Sequence, residues 1–131
     1  MFPVCLRRLK METQREIGDK GEAIARAYLL QKGYSIIAGN WYFGHLELDI
    51  VATDGDELVI VEVKSRTGDR YEHPSEALSG KKIRQLVEAA EGFIQQTNWE
   101  GSTRFDLITV IFTGSDTYEL EHFEEAFLPP A

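Results

Sequence analysis

Asp49, Glu62 and Lys64 have the residue types and spacing that metal-assisted phosphodiester hydrolysis requires. Hard cations such as Mg²⁺ or Mn²⁺ take oxygen ligands, and Mg²⁺ usually binds one or two carboxylates together with waters and phosphate oxygens. Asp49 and Glu62 suit that role, with the main-chain carbonyl of Val63 as a further oxygen. A cation held there would acidify a water and offset charge on the phosphodiester. Lys64 would orient the attacking water or stabilise the anionic transition state. Glu62-Val63-Lys64 is the single (Asp/Glu)-x-Lys tripeptide in the chain. About one is expected by chance at this length, so the tripeptide alone decides nothing. Its weight depends on the elements that carry it. The competing explanation is a solvated strand face with cross-strand ion pairs.

Alternating polarity predicts a strand over Leu46–Ala52 and another over Leu58–Lys64, joined by the turn signal Asp54-Gly55-Asp56. In the later strand, Leu58, Ile60, Glu62 and Lys64 share one face, and Val59, Val61 and Val63 share the other. In the earlier one, Leu46, Leu48 and Ile50 are expected on one face, with Glu47, Asp49 and Val51 opposite. Side by side, the two strands bring Asp49 and Glu62 within reach of one cation. Glu47 falls on the predicted face of Asp49, either as a further ligand or as a partner for Lys64.

The flanking pattern completes an α/β fold. Ile17, Gly21, Ile24 and Tyr28 recur at helical spacing within a helix from about Thr13 to Lys32, with Gly33 placed to cap it. Tyr34–Tyr42 reads as a first strand interrupted at Gly39-Asn40. The polar stretch Ser65–Leu78 reads as a mobile loop. Ser79 is then the N-cap of a helix to about Gln96 that buries Ile83, Leu86, Val87, Ala90, Phe93 and Ile94. Arg104–Phe112 is rich in β-branched and aromatic residues and forms a fourth strand. A short strand follows near Tyr118–Glu121, and Phe127–Pro130 is left without regular structure. The order α, β, β, β, α, β implies an antiparallel meander and a helical crossover to a parallel fourth strand. The sheet is mixed, with four or five strands and helices packed on it.

A chain of 131 residues is long enough for one core, expected over residues 13–122 with an N-terminal arm (1–12) and a C-terminal tail (123–131). No apolar run approaches the roughly 18 residues that cross a membrane. Arg7, Arg8 and Lys10 follow only a few apolar residues, the wrong order for a secretory signal, and Met11 offers an alternative start. Cys5 is the only cysteine, which excludes an intrachain disulfide and fits the cytoplasm. His45, His73 and His122 lack zinc-ligand spacing and are expected at the surface. A net charge of −8 argues against coating nucleic acid by bulk electrostatics. Locally, however, Lys64, Arg66, Arg70, Lys81, Lys82 and Arg84 outnumber the acids between Val61 and Leu86. From Asp116 to Glu125 the charge is wholly acidic, which would suit a basic partner. No P-loop motif occurs.

Several ordered blocks carry a family likeness. Gly18-Asp19-Lys20-Gly21-Glu22, Glu47-Leu48-Asp49-Ile50-Val51 and Val61-Glu62-Val63-Lys64-Ser65-Arg66, with Lys82, Ala89, Ala90 and Arg104-Phe105-Asp106, resemble the YraN family of small bacterial endonuclease-like proteins. The likeness runs from about Gly18 to Val110. It implies the restriction-endonuclease-like, PD-(D/E)xK fold, near the archaeal Holliday-junction resolvases. The implied cofactor is Mg or Mn. The expected substrate is DNA, in branched or repair-intermediate form, with a homodimer as one expected assembly.

Glu22 takes the position of the helical glutamate that joins the Asp, Glu and Lys of the core motif; its other reading is a surface ion pair. Lys82, Arg66, Arg70 and Arg84 are candidates for backbone phosphate contact, against ordinary solvated charge. Arg104 and Asp106 read as a salt bridge supporting the sheet, and Trp41 and Tyr42 as core aromatics before base-stacking ones. Two departures stand out. Leu46 occupies a place where the family has Gly, and only Asn40 lies near the basic residue that resolvases carry on their first strand. The second counts against junction-specific cleavage and leaves an alternative: a catalytically weak or inactive nuclease-fold module that binds DNA or a protein partner.

Overall fold

The computed structural model describes residues 12–130. Helix α1 (Gln14–Gln31) starts at a capping box: Glu16 N–H donates to Thr13 Oγ1 at 3.1 Å, and Thr13 N–H to Glu16 Oε1 at 3.0 Å. Gly33, at φ 99°, turns the chain out of the helix. Strands β1 (Ser35–Phe43), β2 (Leu46–Asp54) and β3 (Glu57–Thr67) follow as a meander. A helical turn, α2 (Pro74–Ala77), precedes α3 (Gly80–Thr97), whose Ser79 cap accepts the Lys82 N–H at 3.1 Å. Strands β4 (Thr103–Phe112) and β5 (Tyr118–Phe123) complete the sheet.

The five strands lie in chain order, β1-β2-β3-β4-β5. All neighbouring pairs are antiparallel except β3 and β4, which run parallel because α3 carries the chain back across the sheet. The αβββαβ order is therefore the one expected. Each face has its own core. Leu29, Ala25, Ile50, Val59, Val61 and Val110 pack on the α1 side. Leu48, Val51, Ile60, Leu86, Phe93 and Leu107 pack on the α3 side. Strands buried on both faces read as apolar runs, as β3 and β4 do.

Four expectations change. The Ser65–Leu78 stretch is not all loop: β3 extends to Thr67 because its last residues pair with β4 as far as Phe112. His122 is not a surface residue; its side chain is 3 % exposed and sits between Asp106 and Tyr28. The expected tail from residue 123 begins inside β5 and is docked. Ala126 N–H donates to Phe105 O at 2.8 Å, and Phe127 stacks on Phe105 at 4.9 Å. The expected arm lies outside the described residues except for Glu12, which pairs with Lys20 at 3.1 Å.

The fourth change concerns the strand that carries Asp49. Leu46 and Leu48 pack on the α3 side, whereas Ile50 packs on the α1 side and Val51 on the α3 side. Leu46, Leu48 and Ile50 thus do not share a face. The alternation slips by one residue between Leu48 and Ile50, at Asp49. Strand β1 slips opposite it: Ala38 and Trp41, three residues apart, both pack on the α3 side. Between them Asn40 has a left-handed backbone, φ 45°. The pairing register is unchanged across the slip, since Gly39 faces Ile50 and Trp41 faces Leu48.

Candidate functional site

Alternation holds in β3. Leu58 and Ile60 pack on the α3 side and Val59, Val61 and Val63 on the α1 side, which assigns Glu62 and Lys64 to the α3 side. The β2–β3 ladder runs from Asp54↔Glu57 to Ile50↔Val61. Asp49 and Glu62 are the next opposed residues, just past the last pair. There the Asp49 side chain takes over from the ladder: Val63 N–H donates to Asp49 Oδ2 at 3.0 Å. Asp49 is 9 % exposed and Glu62 3 %.

Two buried carboxylates side by side resist ionising together. Burial first, and the Glu62 charge second, push Asp49 up to about 8, against the lowering effect of the Val63 N–H. Two lysines meet the other carboxylate. Lys82 Nζ lies 3.3 Å and Lys64 Nζ 3.5 Å from Glu62 Oε2, each about one-third exposed. Among the described residues, Glu62 Oε1 is buried without a hydrogen-bond partner. A buried acceptor left unmatched costs about 1–3 kcal/mol, so it marks a place built for something further.

That orphaned oxygen, beside a carboxylate that burial and repulsion hold toward its protonated form, fits a hard divalent cation. Among the described residues no group of three or more His, Cys, Asp or Glu side chains converges on one point. Asp49 and Glu62 would therefore hold the ion with the Val63 carbonyl and non-protein oxygens, the small carboxylate count usual for Mg²⁺.

Glu22 and Glu47 stand on a second tier. Asn40 Nδ2 donates to Glu22 Oε1 at 2.9 Å and to Glu47 Oε2 at 3.0 Å, and Arg26 donates to Asn40 Oδ1 at 3.0 Å. Burial raises Glu22 above the usual carboxylate range; the Asn40 bond pulls it back, and Asp49 and Glu47 push it up again. Glu22 is thus electrostatically coupled to Asp49. Glu47 is bound to Asn40, while the ion pair of Lys64 is with Glu62. With Arg15, Asp19 and Tyr42 these groups line a polar cleft of about 410 Å³.

The basic candidates divide. Lys82 joins the carboxylate pair. Arg66 is committed locally, donating to Asp69 O at 2.7 Å and stacking on Tyr71 at 3.8 Å. Arg70 pairs with Glu121 at 3.8 Å. Arg84 lies on α3, two residues beyond Lys82. Trp41 packs edge-on against Phe93 at 5.2 Å, as core, whereas Tyr42 is 61 % exposed. Arg104 and Asp106 form the expected bridge, at 2.8 and 2.9 Å. His122 adds a 2.7 Å contact to the same carboxylate. Sequence reasoning missed Asn40 as a ligand of carboxylates; its one signal was a Gly-Asn pair inside a strand, where a bulge or special backbone is expected.

Fold and site together define a small mixed α/β protein with an acidic, lysine-flanked centre where one strand ladder ends. The chain belongs to the family described as "Uncharacterised protein family UPF0102", which matches residues 21–110; this is the YraN family of the resemblance. Similar relatives include the UPF0102 protein of Parabacteroides distasonis, 41% identical over 120 residues (92% of this chain, 98% of that one). That of Phocaeicola vulgatus is 42% identical over 121 residues, with the same coverage. The UPF0102 protein of Nitratidesulfovibrio vulgaris is 39% identical over 118 residues, covering 89% of this chain and 87% of its own. Among solved structures, Hjc, a Holliday junction resolvase from Archaeoglobus fulgidus, is similar with a TM-score of 0.46 and 22% identity, covering 82% of this chain and 86% of that one. No helix among the described residues is long and apolar enough to cross a membrane.

Proposed function

We propose that this protein is a metal-dependent endodeoxyribonuclease that hydrolyses phosphodiester bonds, with Mg²⁺ or Mn²⁺ held by Asp49 and Glu62. The observation that carries the reading is the buried carboxylate pair with one orphaned oxygen and two lysines converging on it. A cation bound there supplies Lewis acidity and a water acidified enough to act as nucleophile. The remaining work falls to the chain. Asp49 and Glu62 supply the negative charge, and burial keeps competing water away. Lys64 and Lys82 lie where charge would grow on the attacked phosphate. Lys81 and Arg84, in the first turns of α3, extend that positive edge toward neighbouring phosphates.

The substrate is DNA, in duplex, branched or repair-intermediate form. A homodimer would present one site to each of two strands, and light scattering at assay concentration tests that part. The test of the chemistry is cleavage of linear, nicked, flapped and four-way DNA by purified protein in Mg²⁺ or Mn²⁺. Cleavage is expected to disappear in Asp49→Ala and Lys64→Ala; activity that survives both refutes the site assignment.

A second reading is a nuclease-fold module that binds DNA or a protein partner with turnover weak or absent. The net charge of −8, and Arg66 and Arg70 engaged within the protein, count against a strong hold on a DNA substrate for cleavage. That reading predicts DNA binding that persists in Asp49→Ala, with no cleavage in either metal.

A further inference from the structure

We infer that Asn40 is a positioning residue of this site, acting through Glu22 and Glu47; the inference rests on the hydrolytic reading above. Glu22 stands close enough to Asp49 and Glu47 for both charges to raise its proton affinity. Asp49 is buried and held by Val63 N–H, but Glu22 and Glu47 sit at an open cleft and need a partner to stay beside it. One neutral amide is that partner. Its two hydrogens go to two carboxylates, Glu22 on α1 and Glu47 on β2. Its oxygen accepts from Arg26, which fixes which way the amide faces.

The backbone is shaped for the same end. Asn is one of the few non-glycine residues that tolerate a left-handed conformation, and Asn40 adopts one at φ 45°. This happens where β1 and β2 slip phase, directly across from Asp49. Gly39 completes the arrangement: a Cβ there would collide with the Arg26 guanidinium, so a larger residue would push Arg26 off the Asn40 oxygen. A helix, two strands and a cation thus converge on one amide. Its effect is to hold Glu22 and Glu47 toward the Asp49 end of the site, where they can order a water in the outer surroundings of a cation held by Asp49 and Glu62.

The discriminating variant is Asn40→Gly. Glycine accepts the left-handed backbone, so it removes both carboxylate bonds while sparing the fold. Misplacing a reacting group by about 1 Å can cost about 100-fold in rate. Turnover of DNA in Asn40→Gly is therefore expected to fall about 10- to 100-fold, with KM for DNA unchanged and Mn²⁺ affinity reduced, as read by calorimetry. Gly39→Ala is expected to act in the same direction. Wild-type turnover and Mn²⁺ affinity in Asn40→Gly would overturn the inference while leaving the proposed function standing. Wild-type protein that neither binds Mn²⁺ nor cleaves DNA overturns both, and that arm is read before any variant is compared.

Discussion

Replacing Asp49 by Asn should make the metal-free protein more stable while abolishing its response to metal. Moving a carboxyl from its ordinary 3.8 to about 8 corresponds to about 6 kcal/mol between its protonation states, at about 1.4 kcal/mol per tenfold change. That is a ceiling, since Asp49 and Glu62 titrate as a pair and the two lysines remain to offset whichever charge forms. An amide of the same shape keeps the acceptor for Val63 N–H and offers Glu62 a donor at every pH, which the Asp49 carboxyl does only while protonated. The expected gain at pH 8 in EDTA is about 1–3 kcal/mol.

The pH dependence follows from the direction of the shift. Asp49 is raised in the folded state, so folded protein binds its proton more tightly than unfolded protein does. Its contribution to stability is complete below about pH 4 and is lost as pH rises toward 8. Asp49→Asn has no such loss, so the gap between variant and parent should be small near pH 4 and widen to pH 8. Urea denaturation across that range measures it, and Mn²⁺ should raise the midpoint of the parent alone. A variant no more stable than the parent at pH 8, or a gap that does not widen, refutes the reasoning.

Lys82→Ala should weaken DNA binding and reduce the slope of log affinity against log salt by about one; an unchanged slope would confine Lys82 to its bond with Glu62. Asp106→Asn strips charge from a carboxylate that meets Arg104, His122 and the Glu125 N–H, and should cost about 3–5 kcal/mol in thermal or urea unfolding. Gly21→Ala drives a Cβ into the Ser65 side chain of β3, so α1 must retreat; about 1–3 kcal/mol of stability should be lost. Ser65→Gly in the same chain should restore part of it.

How much of this could be read from the residues depended on how local the cause was. The two strands bearing Asp49 and Glu62, their turn, and the faces of β3 follow from alternation, which needs only neighbouring residues. Ser79 as a cap and the buried stripe of α3 are local too. The faces of β2 were misread because the slip at Asp49 is matched by a left-handed Asn40 opposite it on the other strand, and no single-strand pattern contains that pairing. His122 was misplaced for a similar reason: its partners, Asp106 and Tyr28, lie 16 and 94 residues away. The Lys82–Glu62 contact depends on where a crossover helix lands, which spacing alone does not fix. Val63 and the lysine of the tripeptide were legible as candidates; the orphaned Glu62 oxygen was not, because an unmet hydrogen bond exists only in three dimensions.

The coupled slip of β1 and β2 also bears on which length changes the gene can tolerate. Each strand has changed sides at the same rung, so the two irregularities cancel and Trp41 meets Leu48 in the α3-side core. A one-residue deletion at Asn40 alone would leave the slip in β2 without its counterpart in β1. Trp41 and Phe43 would keep the α3 side by plain alternation from Ala38, but each would meet β2 one residue out of register with Leu48 and Leu46. Removing both irregularities restores the register of the hairpin, but removes Asn40, which gathers the carboxylates, and Asp49. Codon loss at this rung is therefore expected to be harmful singly through folding, and in compensated pairs through the site.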